Sequence, residues 1–292
     1  MRIAIITGGE SGERDVSIVS AGNVALSIPF AEHETFVFPE EKDKFLAKAS
    51  EFDLVIPVIH GKGGEDGEVQ QLCESINLPF LFSPVEAHKI AIDKVLAKSL
   101  VERIGIRTPK QFSLSNAVFP VFVKPRFGGS SVSTSRVESF VELQRILAVS
   151  TEDMLIEEAV TGREFTVGVI EQNPGDPEAL PVIEIRPKNG FFDFESKYDA
   201  NQLAEEICPA DIDFSLASRL QLVAVAIHVL IGASHLTRSD FLVNDAGEII
   251  FLEINTIPGL TGTSLIPIAL DYENIHFPGL LEKWCKGLLM IE

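Results

Sequence analysis

The sequence predicts a mixed α/β and α+β fold that begins with an open, parallel-type sheet. Apolar strands and amphipathic helices alternate from the N-terminus, which is the pattern of sheets covered by helices. Two apolar strands, at 2–7 and 53–59, each run into a loop that contains glycine, and such loops lie at the carboxyl edge of an open sheet, where ligands bind. The chain's 292 residues suffice for two domains or three small ones.

The later elements are predicted from hydrophobic periodicity and from glycine and proline stops. Residues 86–104 are predicted to form one amphipathic helix that Gly105 ends. A hairpin is predicted near the C-terminal end, with strands at 238–243 and 248–255 and a four-residue turn at 244–247. The other predicted helices are 15–27, 68–77, 138–149 and 213–231, and the other predicted strands are 78–82, 118–123, 153–158 and 165–170.

The composition is acidic, with 43 Asp and Glu against 24 Lys and Arg and a formal net charge of −19. No basic stripe is present that could neutralise nucleic-acid phosphates, and the net charge opposes binding to an anionic membrane surface. A few local cations and backbone N–H groups can still bind a phosphate-bearing small molecule. Most of the carboxylates are expected to form an ordinary solvated surface.

Nothing in the sequence predicts a membrane span or a secretory signal. No apolar run reaches the roughly 20 residues that a spanning helix needs, and residues 1–7 lead directly into a glycine turn, as a strand does. Cys73, Cys208 and Cys285 are far apart and odd in number, which indicates reduced thiols rather than a disulfide framework or a metal site. A cytoplasmic location is therefore expected.

The predicted C-terminal hairpin carries residues suited to a metal ion. Glu253 and Asn255 are two residues apart on one strand, so their side chains share a face. A four-residue turn places Glu253 opposite Arg238, with Asp240 as a diagonal neighbour on the same face. Carboxylate and amide oxygens suit a magnesium ion that is shared with substrate phosphates. The alternative is an edge hairpin with solvated charges, although apolar neighbours make polar residues on that face costly unless they are used.

Two glycine-rich loops are candidates for phosphate binding. Lys124 ends an apolar strand and precedes Gly128-Gly129-Ser130-Ser131, where glycines would let backbone N–H groups approach an anion and the lysine would supply charge. The loop Gly8-Gly9-Glu10-Ser11-Gly12 could hold a ligand at a helix start or form a tight turn. Neither is a Walker or Rossmann motif, and each alone is compatible with a flexible surface loop.

Short motifs follow one another along nearly the whole chain, from about residue 3 to about residue 285. The strongest is Glu253-Ile254-Asn255-Thr256-Ile257-Pro258-Gly259-Leu260-Thr261, followed by Ser264-Leu265. The others are Gly8-Gly9 with Ser11, Glu13-Arg14-Asp15-Val16-Ser17, His60-Gly61, Gly64-Glu65-Asp66-Gly67, Asp93-Lys94, Lys124-Pro125, Gly129-Ser130-Ser131, Gly162 with Glu164, and Lys197-Tyr198. In this order and spacing they resemble the D-alanine–D-alanine ligase family of the ATP-grasp superfamily.

The resemblance implies three domains. They are an N-terminal open-sheet domain at residues 1–82 and two ATP-grasp domains, at 83–161 and 162–292, that clamp a nucleotide between them. It further implies that ATP and D-alanine are the substrates, that two Mg²⁺ ions are bound with Mn²⁺ able to replace them, and that the protein is a homodimer. The implied reaction makes D-alanyl-D-alanine through an acyl phosphate, for peptidoglycan precursor synthesis.

The resemblance also assigns roles to matching residues. The implied contacts to the first substrate and the reacting groups are Glu13, His60, Ser130 and Tyr198. The implied oxyanion donors are Arg238 and the backbone N–H of Gly259, and the implied ligands of the second substrate's carboxylate are Lys197 and Ser264. The implied nucleotide contacts are Lys94 and Lys124 at the phosphates, Glu157 and Val160 at the adenine, and Glu164 at the ribose. The implied metal ligands are Asp240, Glu253 and Asn255.

Elementary chemistry agrees with these roles. An amine cannot displace oxide from a carboxylate, so the carboxylate oxygen must first be phosphorylated. In-line phosphoryl transfer needs charge neutralisation and positioning, and a forked, always protonated arginine suits an oxyanion. Segment 186–206, which carries Lys197 and Tyr198, could close as a lid that keeps water from the acyl phosphate. In the family, tyrosine at position 198 goes with dipeptide formation and phenylalanine with D-lactate acceptance, so a dipeptide is expected.

Two departures from the family pattern stand out. His235 replaces a frequent glycine three residues before Arg238 and could crowd the backbone there, and Ser133 replaces a frequent glycine in the phosphate loop. Two other functions stay open: a related ligase that joins other carboxylates to amines or hydroxy acids, and a degenerate nucleotide-binding protein without turnover. The intact set of candidate metal and oxyanion residues speaks against the second.

Overall fold

The computed structural model describes residues 1–128, 134–186 and 204–290. Within these ranges, one parallel sheet and two antiparallel sheets occupy successive parts of the chain. The described helices include none that is long and apolar enough to cross a lipid bilayer. Cys73, Cys208 and Cys285 are all unpaired thiols. The mixed class with an open parallel sheet at the N-terminus is therefore confirmed.

The first sheet is parallel and has the strand order β2-β1-β3. Its strands are β1 Arg2–Gly8, β2 Glu32–Phe38 and β3 Leu54–Val58, and its helices are α1 Arg14–Leu26, α2 Lys42–Lys48 and α3 Glu68–Ser75. Strands β1 and β3 are buried almost throughout, because their residues are nearly all apolar and both faces of the sheet are covered. The predicted strand 78–82 is wrong: in that segment only Phe80 forms a bridge, with Val55.

The two faces of this sheet contribute to different cores. One face packs the rings of Phe36, Phe38, Phe45 and Phe52 against each other at centroid distances between 5.4 and 6.5 Å. The other face packs with α1 and with two C-terminal helices, α8 Leu265–Tyr272 and α9 Phe277–Leu289. The shared core holds the loop after β1 close to the segment before α8, although some 250 residues separate them in sequence.

The predicted helix 86–104 is wrong in one respect, since it is two helices, α4 Val85–Ile92 and α5 Lys94–Arg103. Asp93 separates them, because its backbone is extended, at φ −83° and ψ 96°. Its carboxylate accepts hydrogen bonds from the backbone N–H groups of Val95 and Leu96, at 3.0 and 3.3 Å, and so caps α5. The break places Lys94 in the first turn of α5.

The second sheet is antiparallel and has the order β4-β7-β5-β6. Its strands are β4 Gln111–Phe112, β5 Val121–Pro125, β6 Ser135–Val137 and β7 Met154–Glu158, with helix α6 Phe140–Val149 packed on it. Phe122 on β5 pairs with Glu157 on β7. This register brings Lys124, two residues further along β5, onto the same face as Glu157.

The third sheet is also antiparallel, in the order β11-β10-β8-β12-β13, with β9 paired to β8. Its strands are β8 Arg163–Asn173, β9 Asp176–Ala179, β10 Ile183–Arg186, β11 Glu205–Ile207, β12 Leu236–Val243 and β13 Ile249–Asn255. Helix α7, Phe214–Leu230, packs on one face through Leu220, Ala224 and Ile227. The polar residues of β12 and β13, among them Asp240 and Glu253, lie on the opposite face.

The predicted pairing within the β12–β13 hairpin is wrong by two residues. Glu253 pairs with Asp240, and Asn255 pairs with Arg238. Two single-residue shifts add up: the turn contains five residues, 244–248, and a β-bulge lies where Asp240 is followed by Phe241. One shift alone would turn the side chains to the other face, whereas two restore it. The bulge thus lets Phe251 face the core while Glu253 lies beside Asp240.

Candidate active site

A cavity of about 940 Å³ is lined by residues from the N-terminal loops, the second sheet and the third sheet. The predicted site residues that line it are Glu13, Lys94, Lys124, Glu157, Val160, Glu164, Asp240 and Glu253. Asn255 lines a smaller adjoining pocket with Lys94 and Glu253. Ser130, Lys197, Tyr198 and most of the predicted lid 186–206 lie outside the described residues, as does Ser133.

His60 is buried beside this cavity and joins the first sheet to the loop after β13. Its Nδ1 lies 2.8 Å from the carbonyl oxygen of Ile257, and its Nε2 lies 3.0 Å from Oγ of Ser20. Burial lowers the pKa of His60 although Glu13 favours its protonation, so the ring is neutral at pH 7. Since a carbonyl can only accept, Nδ1 carries the proton and Ser20 donates to Nε2. The backbone N–H of Leu260 in turn donates to Ser20, at 3.3 Å.

Glu65 is a buried carboxylate that the sequence prediction did not include among the site residues. It accepts hydrogen bonds from the backbone N–H groups of Gly61, at 2.8 Å, and Ile257, at 3.1 Å. Burial, together with the charge of nearby Glu13, raises the pKa of Glu65 to about 7. Glu65 therefore binds the backbone N–H of Ile257, and His60 binds its carbonyl oxygen, two residues before Gly259.

Gly259 and Ser264 are in close contact at the start of α8. A Cβ atom on Gly259 would lie 2.7 Å from Oγ of Ser264, so only glycine fits without displacing that hydroxyl. The Ser264 hydroxyl accepts a hydrogen bond from the backbone N–H of Thr261, at 3.1 Å. The two predicted residues are thus brought together at one turn.

Arg238 and Asp240 form a forked ion pair on one face of β12. Nε and Nη2 of Arg238 donate to the two oxygens of Asp240, at 3.0 and 2.9 Å. Burial alone would lower the pKa of Arg238, but Asp240 and Glu253 raise it above its usual value. Across the hairpin, Nδ2 of Asn255 lies 3.3 Å from Oδ2 of Asp240. From α5, Nζ of Lys94 lies 3.5 Å from Oε2 of Glu253.

The hairpin offers a partial site for a hard metal ion. Asp240, Glu253 and Asn255 present oxygen atoms on neighbouring strand positions, which is the donor type that Mg²⁺ prefers. Among residues 1–128, 134–186 and 204–290, no group of three or more His, Cys, Asp and Glu side chains is arranged to hold a metal by itself. The residues fit an ion that takes its remaining ligands from water and from substrate phosphates.

The first turn of α5 is tied to the end of β5. The guanidinium of Arg126 donates to both carboxylate oxygens of Asp93, at 2.9 and 2.7 Å, and so fixes the residue that caps α5. The Lys94 ammonium in turn donates to the carbonyl oxygen of Gly128, at the edge of the glycine-rich loop. Lys94 therefore lies between this loop and the carboxylate of Glu253.

Glu157 is shared by two buried lysines. Its Oε2 lies 2.8 Å from the ammonium of Lys124, and its Oε1 accepts a hydrogen bond from Lys98. Burial opposes ionisation of Glu157, but the two lysines hold its pKa below the usual value. Burial would also lower the pKa of Lys124, yet Glu157 and Glu253 raise it. Both members of this pair are accordingly charged at neutral pH.

Val160 lies in the connection between the second and third sheets, and Glu164, on the other side of Gly162, is the second residue of β8. A Cβ atom on Gly162 would approach the carbonyl oxygen of Val243 to 2.5 Å, so the backbone of this connection can lie against β12 only with glycine at this position. Glu158, beside Glu157, receives the guanidinium of Arg107, at 3.1 Å. These contacts fix the connection that forms one wall of the cavity.

Comparison with known proteins identifies the family. A family model described as D-ala D-ala ligase C-terminus matches residues 102–286, and one described as D-ala D-ala ligase N-terminus matches residues 31–83. The D-alanine–D-alanine ligase of Lawsonia intracellularis is 36% identical over 297 residues, covering 97% of this chain and 96% of the relative. The chain belongs to the D-alanine–D-alanine ligase family.

Solved structures of the family superpose along the whole chain. A D-alanine–D-alanine ligase from Bacillus anthracis complexed with ATP has a TM-score of 0.82 at 28% identity and covers 99% of this chain and 98% of that one. The VanG D-Ala:D-Ser ligase from Enterococcus faecalis has a TM-score of 0.83 at 29% identity and covers 99% of both chains. The ATP-grasp architecture predicted from the motifs is thereby confirmed.

Lys98 and Glu65 are the site neighbours that the motif-based prediction of this ligase site left out. Lys98 follows Lys94 by four residues on α5, so both side chains lie on the same helical face. Since α5 also carries Ser99, Glu102 and Arg103, this spacing alone does not single out Lys98. Glu65 belongs to the motif Gly64-Glu65-Asp66-Gly67, but only the fold shows that it accepts a hydrogen bond from the backbone N–H of Ile257.

Proposed function

We propose that this chain joins two molecules of D-alanine into D-alanyl-D-alanine and converts ATP to ADP and phosphate, in peptidoglycan precursor synthesis. The observation that carries the proposal is one continuous cavity whose wall combines lysines suited to phosphates, acidic residues suited to a metal, and Glu13 at the helix start after β1. Its support is the family membership along nearly the full length of the chain.

In the first half-reaction, a carboxylate oxygen of one D-alanine attacks the γ-phosphorus of ATP, and ADP leaves. Lys94 and Lys124 neutralise phosphate oxygens, which leaves the reaction mainly a matter of positioning and charge. Glu157 and Val160 border the adenine, and Glu164 borders the ribose. The ammonium of the first D-alanine lies near Glu13.

Magnesium, or manganese in its place, would be held by Asp240, Glu253 and Asn255. Two such ions would supply positive charge where negative charge builds up during phosphoryl transfer. Lys94, at 3.5 Å from Glu253, links this ligand set to the glycine-rich loop.

In the second half-reaction, the neutral amine of the second D-alanine attacks the acyl carbon, and phosphate leaves with the electron pair of the C–O bond. The proton that the nitrogen loses ends on the released phosphate. Arg238 and the backbone N–H of Gly259 stabilise the oxyanion that forms on the carbonyl oxygen. Ser264, in contact with Gly259, helps to hold the carboxylate of the second substrate. His60 and Glu65 position this loop through the Ile257 peptide.

We also propose the division into domains at 1–82, 83–161 and 162–292, a homodimer and a cytoplasmic location. The order of the parallel sheet and the two antiparallel sheets along the chain supports the division. Sedimentation equilibrium of the full chain tests the dimer, with a mass of twice 31.9 kDa expected.

The test of the function is the dependence of ADP release on D-alanine, with the products identified by mass spectrometry. ADP and D-alanyl-D-alanine should appear together, and neither should appear without D-alanine. Because a structural relative is described as a D-Ala:D-Ser ligase, D-serine and D-lactate are offered in competition. Nucleotide binding without any product would indicate a degenerate protein, and preference for another acceptor would indicate a related ligase.

A further inference from the structure

Three charged side chains from three elements meet behind the nucleotide side of the cavity. Lys98 comes from α5, Lys124 from β5 and Glu157 from β7. Their side chains are 5%, 14% and 1% exposed. Lys124 and Glu157 line the cavity, whereas Lys98 lies behind them and does not.

Each of the two lysines contacts a different oxygen of the Glu157 carboxylate. Lys98 donates to Oε1, and Lys124 approaches Oε2 at 2.8 Å. Without Lys98, both oxygens of Glu157 would be available to Lys124, and the two would form a neutral buried pair. When Lys98 is protonated, the cluster of two lysines and one carboxylate carries one net positive charge behind the cavity wall.

A role in stability alone does not explain Lys98. Burial, joined by the charge of Lys124, lowers the pKa of Lys98 to about 7 despite the attraction of Glu157. Burying its charge therefore costs more than the ion pair offsets. Such an arrangement becomes favourable when an anion arrives at the cavity side of Lys124.

We propose that Lys98 is a positioning residue for ATP: by holding one oxygen of Glu157, it keeps the Lys124 ammonium available to the triphosphate. The inference rests on the proposed function for the identity of the nucleotide. It assigns Lys98 no contact with substrate. Its effect is expected on nucleotide affinity, because Glu13, the residue proposed to meet the D-alanine ammonium, lies before α1 and not in this cluster.

The test uses the full chain and measures binding of the non-hydrolysable analogue AMP-PNP with Mg²⁺ by calorimetry. Lys98→Met, which preserves the length and apolar stem, should weaken AMP-PNP binding about tenfold, the equivalent of one lost favourable charge interaction of about 1.4 kcal/mol. The KM for D-alanine should stay within about twofold, if ground-state contacts to the amino acid are untouched. Lys89→Met, on the exposed face of neighbouring α4, is the matched control and should bind like the unaltered chain.

The double variant Lys98→Met/Glu157→Gln separates positioning from a structural role. Because Glu157 is also proposed to border the adenine, this comparison uses inorganic tripolyphosphate with Mg²⁺, which has no adenine. Removing the charge of Glu157 releases Lys124, so the double variant should bind tripolyphosphate more tightly than Lys98→Met alone. If Lys98→Met does not fold, Lys98→Gln takes its place with the same expected loss and the same comparison.

Unchanged AMP-PNP affinity in Lys98→Met would overturn the proposal, whatever happens to the melting temperature. A double variant that binds tripolyphosphate no better than Lys98→Met would also overturn it. The proposed function fails separately: if the unaltered chain binds AMP-PNP but makes no D-alanyl-D-alanine, the binding comparison still decides the role of Lys98.

Discussion

Arg238 is bound to Asp240 through two different nitrogens, and both bonds need the planar fork of a guanidinium. The same carboxylate also accepts a hydrogen bond from the hydroxyl of Thr166 and lies across the hairpin from Glu253. Each charged group here is therefore held by its neighbours before substrate arrives. Electrostatic stabilisation is most effective when donors are fixed in this way.

Arg238→Lys keeps the charge but loses the fork. An ammonium cannot bind Asp240 and an oxyanion with the same geometry, so kcat should fall by about two to three orders of magnitude, as for other lost oxyanion donors. Steady-state kinetics at saturating ATP and D-alanine measure this, with circular dichroism to check folding. A change confined to KM would instead make Arg238 a binding residue.

Glu253→Gln removes one charge from the proposed metal site. The magnesium concentration needed for half-maximal rate should rise by at least about tenfold, because one anionic ligand becomes neutral. Asp245→Asn, in the exposed turn of the same hairpin, is the matched control and should titrate like the unaltered chain. If both variants need the same magnesium concentration for half-maximal rate, Glu253 is not a ligand of the metal ion.

Glu65 should make stability depend on pH. Its pKa in the folded chain is about 7, above the ordinary 4.5, so the folded state binds the proton more tightly. This stabilisation is fully present below pH 4.5 and is lost as the pH rises to about 7. Relative to Glu65→Gln, the unaltered chain should lose about 3 kcal/mol of unfolding free energy over that interval. Urea unfolding at several pH values measures this free energy. If it changes equally with pH in the two chains, the raised pKa of Glu65 is wrong.

At the scale of elements, the entry into β12 departs from the family pattern. His235 has a left-handed backbone, with φ at 65°. Its backbone N–H donates to Glu171, at 3.0 Å, and its ring packs edge-on against Trp284 at a centroid distance of 5.5 Å. The side chain thus lies toward α9, and the expected crowding of Arg238 does not occur: the strand pairs regularly from Leu236 onward.

Two substitutions at this position separate backbone strain from side-chain contacts. His235→Gly and His235→Ala both lose the ring, but only alanine keeps a Cβ atom in the left-handed conformation. His235→Gly should therefore be more stable than His235→Ala by about 1 kcal/mol. Chemical denaturation of the two variants gives the difference in stability. Equal midpoints would mean that residue 235 does not have a left-handed backbone in solution.

Periodicity located most long elements but not their local irregularities. The hairpin strands were predicted, yet the five-residue turn and the bulge were not, because both depend on pairing across the strands rather than on composition. The apolar spacing of residues 86–104 continues across Asp93, which hid the break between α4 and α5. Strand β2 was missed because its first residues, Glu32-His33-Glu34, are polar.

At the scale of the whole molecule, the site depends on contacts between distant parts of the chain. The N-terminal sheet and the C-terminal helices share one core, and His60, Glu65 and Ser20 reach the loop 257–260 from the opposite end of the sequence. The motifs predicted which residues belong to this family's site. They did not show Lys98, since its role appears only when α5, β5 and β7 are assembled.

In the proposed reaction, a D-alanine carboxylate oxygen becomes the bridging oxygen of an acyl phosphate. The most direct test uses D-alanine labelled with ¹⁸O in both carboxylate oxygens, with ATP and Mg²⁺, and analyses phosphate and dipeptide by mass spectrometry. One ¹⁸O atom should be transferred to each phosphate released, in equal number with D-alanyl-D-alanine formed, while the peptide carbonyl keeps the other. Dipeptide formed together with unlabelled phosphate would exclude an acyl phosphate as the intermediate.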